Sequence, residues 1–336
     1  MVEFIDGKTA NEVWRKAANM LLAQETALSG RTGDVLELLH AFISIENPRQ
    51  KWVYDRMPPI SIGFALAEVV WIMNGEERSE VINYWNPKLA EFAGDGDTYY
   101  GAYGKRIRSH FGFDQLEKAY YALQNTPESR QVVIQIYDVE KDFPVDNGMP
   151  RSKDIPCNIC SLLKVRDGKL EWSQIMRSND ILLGMPYNFV HFTSLQEILA
   201  GWLGLEVGSY IHYSDSLHLY CRDLDNIGIG KEPELENLDS LSVGRNESER
   251  IFREIYNRMT ALTNRSISDK EIFSLAQLKS EYIAYNNIML IIAAYVAKKL
   301  HHNDLVDELV CKCENEAYTA MWNRWANKKS TENKLV

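Results

Sequence analysis

The sequence predicts an α+β body over residues 1–260 and a helical region over residues 261–336. Three observations carry this division. Short β-branched or alternating runs are interspersed with runs at helical spacing through the first part. Asp167-Gly168 joins two of the alternating runs, 158–166 and 170–176, as a tight hairpin turn does. From Ser268, which forms a capping-box pattern with Glu271, helical spacing continues to about Ala326.

In chain order, residues 9–28 place Val13, Ala17, Met20 and Leu21 on one helical face. Residues 29–33 read as a turn-rich loop bearing Arg31, and 36–45 as a strand. Residues 62–74 form an apolar helix interrupted by one acid, Glu68. A glycine- and tyrosine-rich loop follows over 94–103, then a helix over 113–125, broken by Pro127-Glu128-Ser129 before Arg130. Strands are expected at 132–137 and in the hairpin, a helix at 187–203 and a strand at 207–213. Residues 226–249 are polar and irregular.

With 336 residues, 45% apolar and 25% charged, the chain has the composition of a soluble globular protein. A formal net charge of −10 argues against nonspecific binding to nucleic-acid polymers. The longest apolar run, 288–297, is far short of the ~18 residues of a membrane span. No signal peptide is read at the start, and five cysteines, an odd number, fit reduced thiols; a cytoplasmic location is expected.

Cys157 is the candidate nucleophile. A lone cysteine is ordinarily a small buried apolar side chain, but Arg177 lies on the partner strand of the hairpin, and a nearby guanidinium favours the thiolate. Cys157 and Cys160 are three apart in an extended segment and face opposite ways, so neither a metal site nor a redox pair is expected. Glu68 reads either as a boundary residue or as a buried acid suited to proton transfer. Arg31, Arg130, Arg177 and Ser178 could converge on a phosphate. His218 and Tyr220 share a face and could bond sugar hydroxyls. Asn188 is either a helix cap or a reader of a base edge. The histidines at 40, 110, 191, 212, 301 and 302 show no useful ligand spacing.

With these residues in place the chain resembles the thymidylate synthase family. The likeness runs through Arg31-Thr32-Gly33, Glu68-x-x-Trp71-x-x-x-Gly75, Trp85, Tyr103-Gly104-Lys105, Pro127-x-Ser129-Arg130, Pro156-Cys157, Arg177-Ser178-x-Asp180, Leu183-Gly184-x-Pro186-x-Asn188 and His218-x-Tyr220. The resemblance implies a large twisted mixed sheet with packed helices, a homodimer, and two substrates, a pyrimidine nucleoside monophosphate and 5,10-methylenetetrahydrofolate. It implies that Cys157 attacks C6 of the base, with Glu68 and Tyr103 handling protons and Asn188 reading the base. Arg31, Arg177 and Ser178 would hold the phosphate, with Arg130 supplied by the partner subunit. His218 and Tyr220 would hold the ribose, and Asp180 and Trp85 the folate.

Departures from the synthase pattern point to a different outcome at C5. Asn158 stands where synthases have His, Met176 where they have Gln, and Gln131 where they have a second Arg. Asp55-Arg56-Met57-Pro58-Pro59-Ile60-Ser61 replaces the usual basic and His residues, and a long helical segment replaces the short apolar tail. Methylation needs a dry site, so a changed lid and polar network point to water as the final nucleophile. The segments 176–180 and 216–218 are similar to phage deoxycytidylate hydroxymethylases, and the general layout resembles cytidylate hydroxymethylases. The expectation is therefore C5-hydroxymethylation of CMP or dCMP. Thymidylate synthase or deoxyuridylate hydroxymethylase are the alternatives, since an Asn188 amide can serve either base. A regulator that has lost turnover, or helices that dock a partner, are further readings.

Overall fold

The structure, a computed structural model, describes residues 3–30, 33–231, 233–264 and 266–327. Its strands are β1 (Glu3–Gly7), β2 (Leu28–Gly30), β3 (Gly33–Ile45), β4 (Arg56–Met57), β5 (Val133–Gln135), β6 (Asn158–Arg166), β7 (Lys169–Met176), β8 (Asn179–Asp180), β9 (Glu206–Tyr220) and β10 (Gly228–Ile229). The longer helices are α1 (Ala10–Leu22), α2 (Ile62–Met73), α3 (Gln115–Asn125), α4 (Gly184–Leu203), α5 (Arg245–Leu262), α6 (Asp269–Ala276), α7 (Ile283–Lys299), α8 (Asn303–Cys311) and α9 (Glu316–Ala326). Short helical turns fill parts of 79–110 and 139–142.

Eight strands form one mixed sheet in the order β1-β3-β9-β7-β6-β5, with β2 added to β3 and β8 to β9. The fold is α+β, as expected. The β6–β7 hairpin turns at Asp167 and Gly168, both with positive φ (49° and 72°), which a two-residue turn of this hand requires. Its register sets Asn158 opposite Met176 and brings Arg177 next to Cys157.

Several elements differ from expectation. The first helix stops at Leu22, because residues 28–30 pair with β3 (Leu28 opposite Val35) rather than continuing the turn. β9 runs to Tyr220, beyond the expected end at 213; β3 pairs with it from Tyr210 to Tyr220 and holds that part extended. Opposite Asp215, His40 takes a left-handed conformation (φ 59°), and its Nδ1 lies 3.0 Å from Asp215 Oδ1. Residues 245–262, in part expected as irregular, are helix α5.

α2 is apolar on every side and is buried on every side except at Glu68. Ser61 caps it, its hydroxyl accepting from the Phe64 N–H at 3.3 Å. The periodicity after Ser268 resolves into four helices, the first of them held by the Ser268–Glu271 capping box. The division expected at residue 260 falls inside α5, and α7 packs on α2: a Cβ at Gly63 would stand 2.7 Å from the Tyr295 ring. The body and the later helices therefore share one hydrophobic core.

Candidate active site

Cys157 lies just before β6, half-buried, with Arg177 Nη2 4.0 Å from its sulfur. The same guanidinium clasps the chain behind the cysteine, donating to Pro156 O at 2.9 Å and Ile155 O at 3.0 Å. Burial pushes the Cys157 thiol up; Arg177 pulls it down, and Asp154 and Asp180 raise it further. The expected fall in thiol pKa is thus corrected: desolvation outweighs the single cation.

Tyr103 faces Cys157, Asn158 and Glu68, and burial raises its hydroxyl well above the ordinary phenol range. Glu68, 16% exposed, does not simply reach out to water: its Oε2 lies 2.9 Å from Nε2 of His191, which is 3% exposed. His191 was missed in the sequence because its partner is on another helix. The available signal was its position three residues after Asn188 in α4, which puts both on one face.

Asn188 sits inside the first turns of α4, whose N-cap is Leu183, so it does not cap the helix. Its amide is buried and bonded to Asn158 and Asn179. Gly184 allows this close approach, since a Cβ there would stand 3.2 Å from Asn179 Oδ1 and 3.5 Å from Asn188 Nδ2.

β8 pairs with β9 so that Asp180 lies opposite His218. Burial raises the Asp180 carboxyl, whose Oδ1 accepts from the Leu182 and Leu183 N–H groups at 2.7 and 2.8 Å. His218 and Tyr220 project from one face of β9 with their rings edge to face at 5.2 Å. Arg56, buried, lies beside Tyr187 and near enough to Asp180 to feel its charge, and its Nε has no hydrogen-bond partner among the described residues. From α9, Arg324 reaches this segment, its Nη2 3.5 Å from Met57 Sδ.

The structure thus gathers Cys157, Arg177, Tyr103, Glu68 and Asn188 around one place, with Ser178, Asp180, His218 and Tyr220 along the adjoining strands. Arg130 is elsewhere in the same chain, exposed and lining a shallow depression beside the β6–β7 turn. Trp85 lies in the core: it is 1% exposed, with its ring 5.2 Å from that of Tyr295 on α7. Arg31 lies outside the described residues. Among the described residues no group of three His, Cys, Asp or Glu side chains is placed to hold a metal, and no helix is long and apolar enough to cross a membrane.

Comparison with known proteins identifies the family. Over residues 59–283 the chain fits the family model described as thymidylate synthase. It is 31% identical over 229 residues to the deoxyuridylate hydroxymethyltransferase of Bacillus phage SP01, covering 65% of this chain and 58% of that protein. It is 33% identical over 166 residues to the protein of the same name from Pseudomonas phage M6, covering 49% and 46%. The chain spans about half the length of these two curated relatives. It is also 35% identical over 211 residues to a putative thymidylate synthase of Methanothermobacter thermautotrophicus, covering 62% and 88%. Because that family model covers two thirds of the sequence, the chain belongs to the thymidylate synthase family.

Proposed function

We propose that this protein hydroxymethylates a pyrimidine nucleoside monophosphate at C5, taking the carbon from 5,10-methylenetetrahydrofolate. The observation that carries the proposal is the grouping of Cys157, Arg177, Tyr103, Asn188 and the Glu68–His191 pair at one half-buried place. Cys157 forms a bond to C6, which makes C5 electron-rich and able to take up the one-carbon unit. The C5 proton then leaves to a base as the bond between the new carbon and the folate nitrogen breaks, water adds to the exocyclic methylene so formed, and the Cys157–C6 bond breaks to restore the ring. Glu68 and Tyr103 move protons at the base, with His191 beside Glu68. No electron pair is taken from the folate, so the product is tetrahydrofolate.

Arg177 and Ser178 hold the phosphate, with Arg31 and, across a homodimer interface, Arg130. Support for the last is its exposure beside the hairpin turn rather than beside Cys157. His218 and Tyr220 hold the ribose. The folate fits the residues present: Asp180 Oδ2 accepts from no described residue, and Arg56 Nε is buried without a partner, so a ring bearing both N–H donors and acceptors complements them. When bound it supplies carbon at the oxidation level of formaldehyde. The helices after residue 261 form the wall of that side, with Arg324 against Met57.

Reduction to a methyl group, as in a synthase, is the second reading, favoured by the archaeal relative's name. Incubation with 5,10-methylenetetrahydrofolate and CMP, dCMP, UMP or dUMP, read by mass, decides between them. Hydroxymethylation gives a gain of one CH2O unit with tetrahydrofolate. A gain of one CH2 with dihydrofolate refutes the proposal.

A further inference from the structure

Asn188 distinguishes cytosine from uracil only if something decides which of its two amide atoms faces which ring position. A chain of buried amides decides it. The chain starts at Trp172, fully buried, whose indole N–H can donate but never accept. That N–H meets Gln174 at 3.2 Å, so Gln174 turns its oxygen there, where the Ser161 hydroxyl also donates at 2.6 Å. Gln174 Nε2 therefore donates to Asn158 Oδ1 at 2.9 Å. Asn158 Nδ2 in turn donates to Asn188 Oδ1 at 3.3 Å and is bonded to the Tyr103 hydroxyl.

The far end runs in the same sense. Asn188 Nδ2 donates to Asn179 Oδ1 at 3.3 Å. Asn179 Nδ2 donates to His212 Nε2 at 2.8 Å and to Ser214 Oγ at 3.1 Å. Burial holds His212 neutral, leaving one ring nitrogen free to accept; with Asn179 Nδ2 donating, that nitrogen is Nε2, and the ring hydrogen sits on Nδ1, 3.0 Å from the Tyr210 hydroxyl. Reversing any one amide would set donor against donor or oxygen against oxygen at a buried joint. Asn188 still has one hydrogen on Nδ2 and one lone pair on Oδ1 for a ligand.

The placement of the ring rests on the function proposed above, with C6 at Cys157 and the sugar at His218 and Tyr220. From C6 the ring runs one way through C5 to C4, toward Glu68, Tyr103 and Asn158. The other way it runs through N1 and C2 to N3, toward β8, where Asn179 and Asp180 pair with Leu217 and His218. Oδ1 of Asn188, on the Asn158 side, faces ring position 4, and Nδ2, on the Asn179 side, faces N3. We infer that the amide chain anchored on Trp172 sets Asn188 to read cytosine, accepting from the N4 amino group and donating to N3. Uracil would oppose its O4 to Oδ1 and its N3–H to Nδ2. The substrate is thus a cytidine nucleoside monophosphate, although the phage relatives are named for deoxyuridylate. Trp172, Gln174, Asn158 and Asn179 are positioning residues for that choice.

Calorimetric binding of CMP, dCMP, UMP and dUMP reads the base, and release of tritium from C5 reads the chemistry. The cytidine nucleotide should bind on the order of a hundred-fold more tightly than the uridine nucleotide of the same sugar. In Trp172→Phe, which removes the donor-only anchor, this ratio should fall toward one. In Asn158→Asp both carboxylate oxygens accept, from Gln174 and from Asn188, so Asn188 turns over, Asn179 turns with it as the His212 hydrogen moves to Nε2, and preference moves to uracil. Equal or tighter binding of the uridine nucleotide by the wild type overturns the inference, as does an unchanged ratio in both variants when their circular dichroism is native. Should neither variant fold, the wild-type ratio decides alone. Cytidine preference without tritium release from any nucleotide would uphold the base reading and overturn the C5 reaction. Binding of none of the four overturns both.

Discussion

His212 makes the stability of this protein depend on pH in a way that can be worked out in advance. The ring is fully buried, edge to face with Phe189 at 5.3 Å, with Asn179 at Nε2 and the Tyr210 hydroxyl at Nδ1. Burial takes its pKa from 6.5 down to about 3. The folded state therefore binds fewer protons than the unfolded state between these values. This stability is fully present above pH 6.5 and is lost as pH falls toward 3, at about 1.4 kcal/mol per unit. Between pH 7 and pH 5 the loss from His212 alone is about 2 kcal/mol, a sizeable part of the ~5–15 kcal/mol that holds a domain folded. The control is His212→Gln, which offers Asn179 an oxygen and has no proton to take up. Urea unfolding followed by tryptophan fluorescence at pH 7, 6 and 5 should show the wild type losing about 2 kcal/mol more than the variant. Parallel curves would mean that His212 is charged or exposed in the folded protein, and the one-way sense of the amide chain would go with it.

Three further outcomes are expected. Cys157→Ser should abolish release of tritium from C5 while nucleotide binding persists, because the hydroxyl is a far weaker nucleophile; turnover near the wild-type rate would refute covalent attack. Because burial holds the Cys157 thiol up and Arg177 opposes it, alkylation of Cys157 by iodoacetamide, read by peptide mass spectrometry, should accelerate with rising pH. In Arg177→Ala that rise should move to higher pH, and an unmoved profile would deny the guanidinium a part in setting the thiol. Gly63→Ala should destabilise the protein by about 1–3 kcal/mol, since the new Cβ meets Tyr295 near its own Cβ and ring base. An unchanged melting temperature would show that α7 does not press on α2.

Where spacing along the chain is the signal, the sequence was informative. The β6–β7 hairpin follows from alternation around Asp167-Gly168, and it carries Arg177 to Cys157. α2 with its single acid, the capping box at Ser268 and the pairing of His218 with Tyr220 on one face are equally local patterns. From these the α+β class, the candidate nucleophile and the family resemblance could all be read.

Tertiary structure decided the rest, because it rests on groups far apart in sequence. Glu68 had two readings until folding placed His191 of another helix 2.9 Å from it. Trp85 carried a family role in sequence, yet α7 covers it with Tyr295. β9 outran its expected end because β3 supplied partners as far as Tyr220. Most of all, the sense of the Asn188 amide is invisible in the letter Asn. A donor-only indole on β7, relayed through Gln174 and Asn158, sets it, and a neutral imidazole on β9 accommodates that sense at the far end. Sequence determined which side chains could read a base; only the buried hydrogen-bond chain, in which every donor must find an acceptor, determined which way the reader faces.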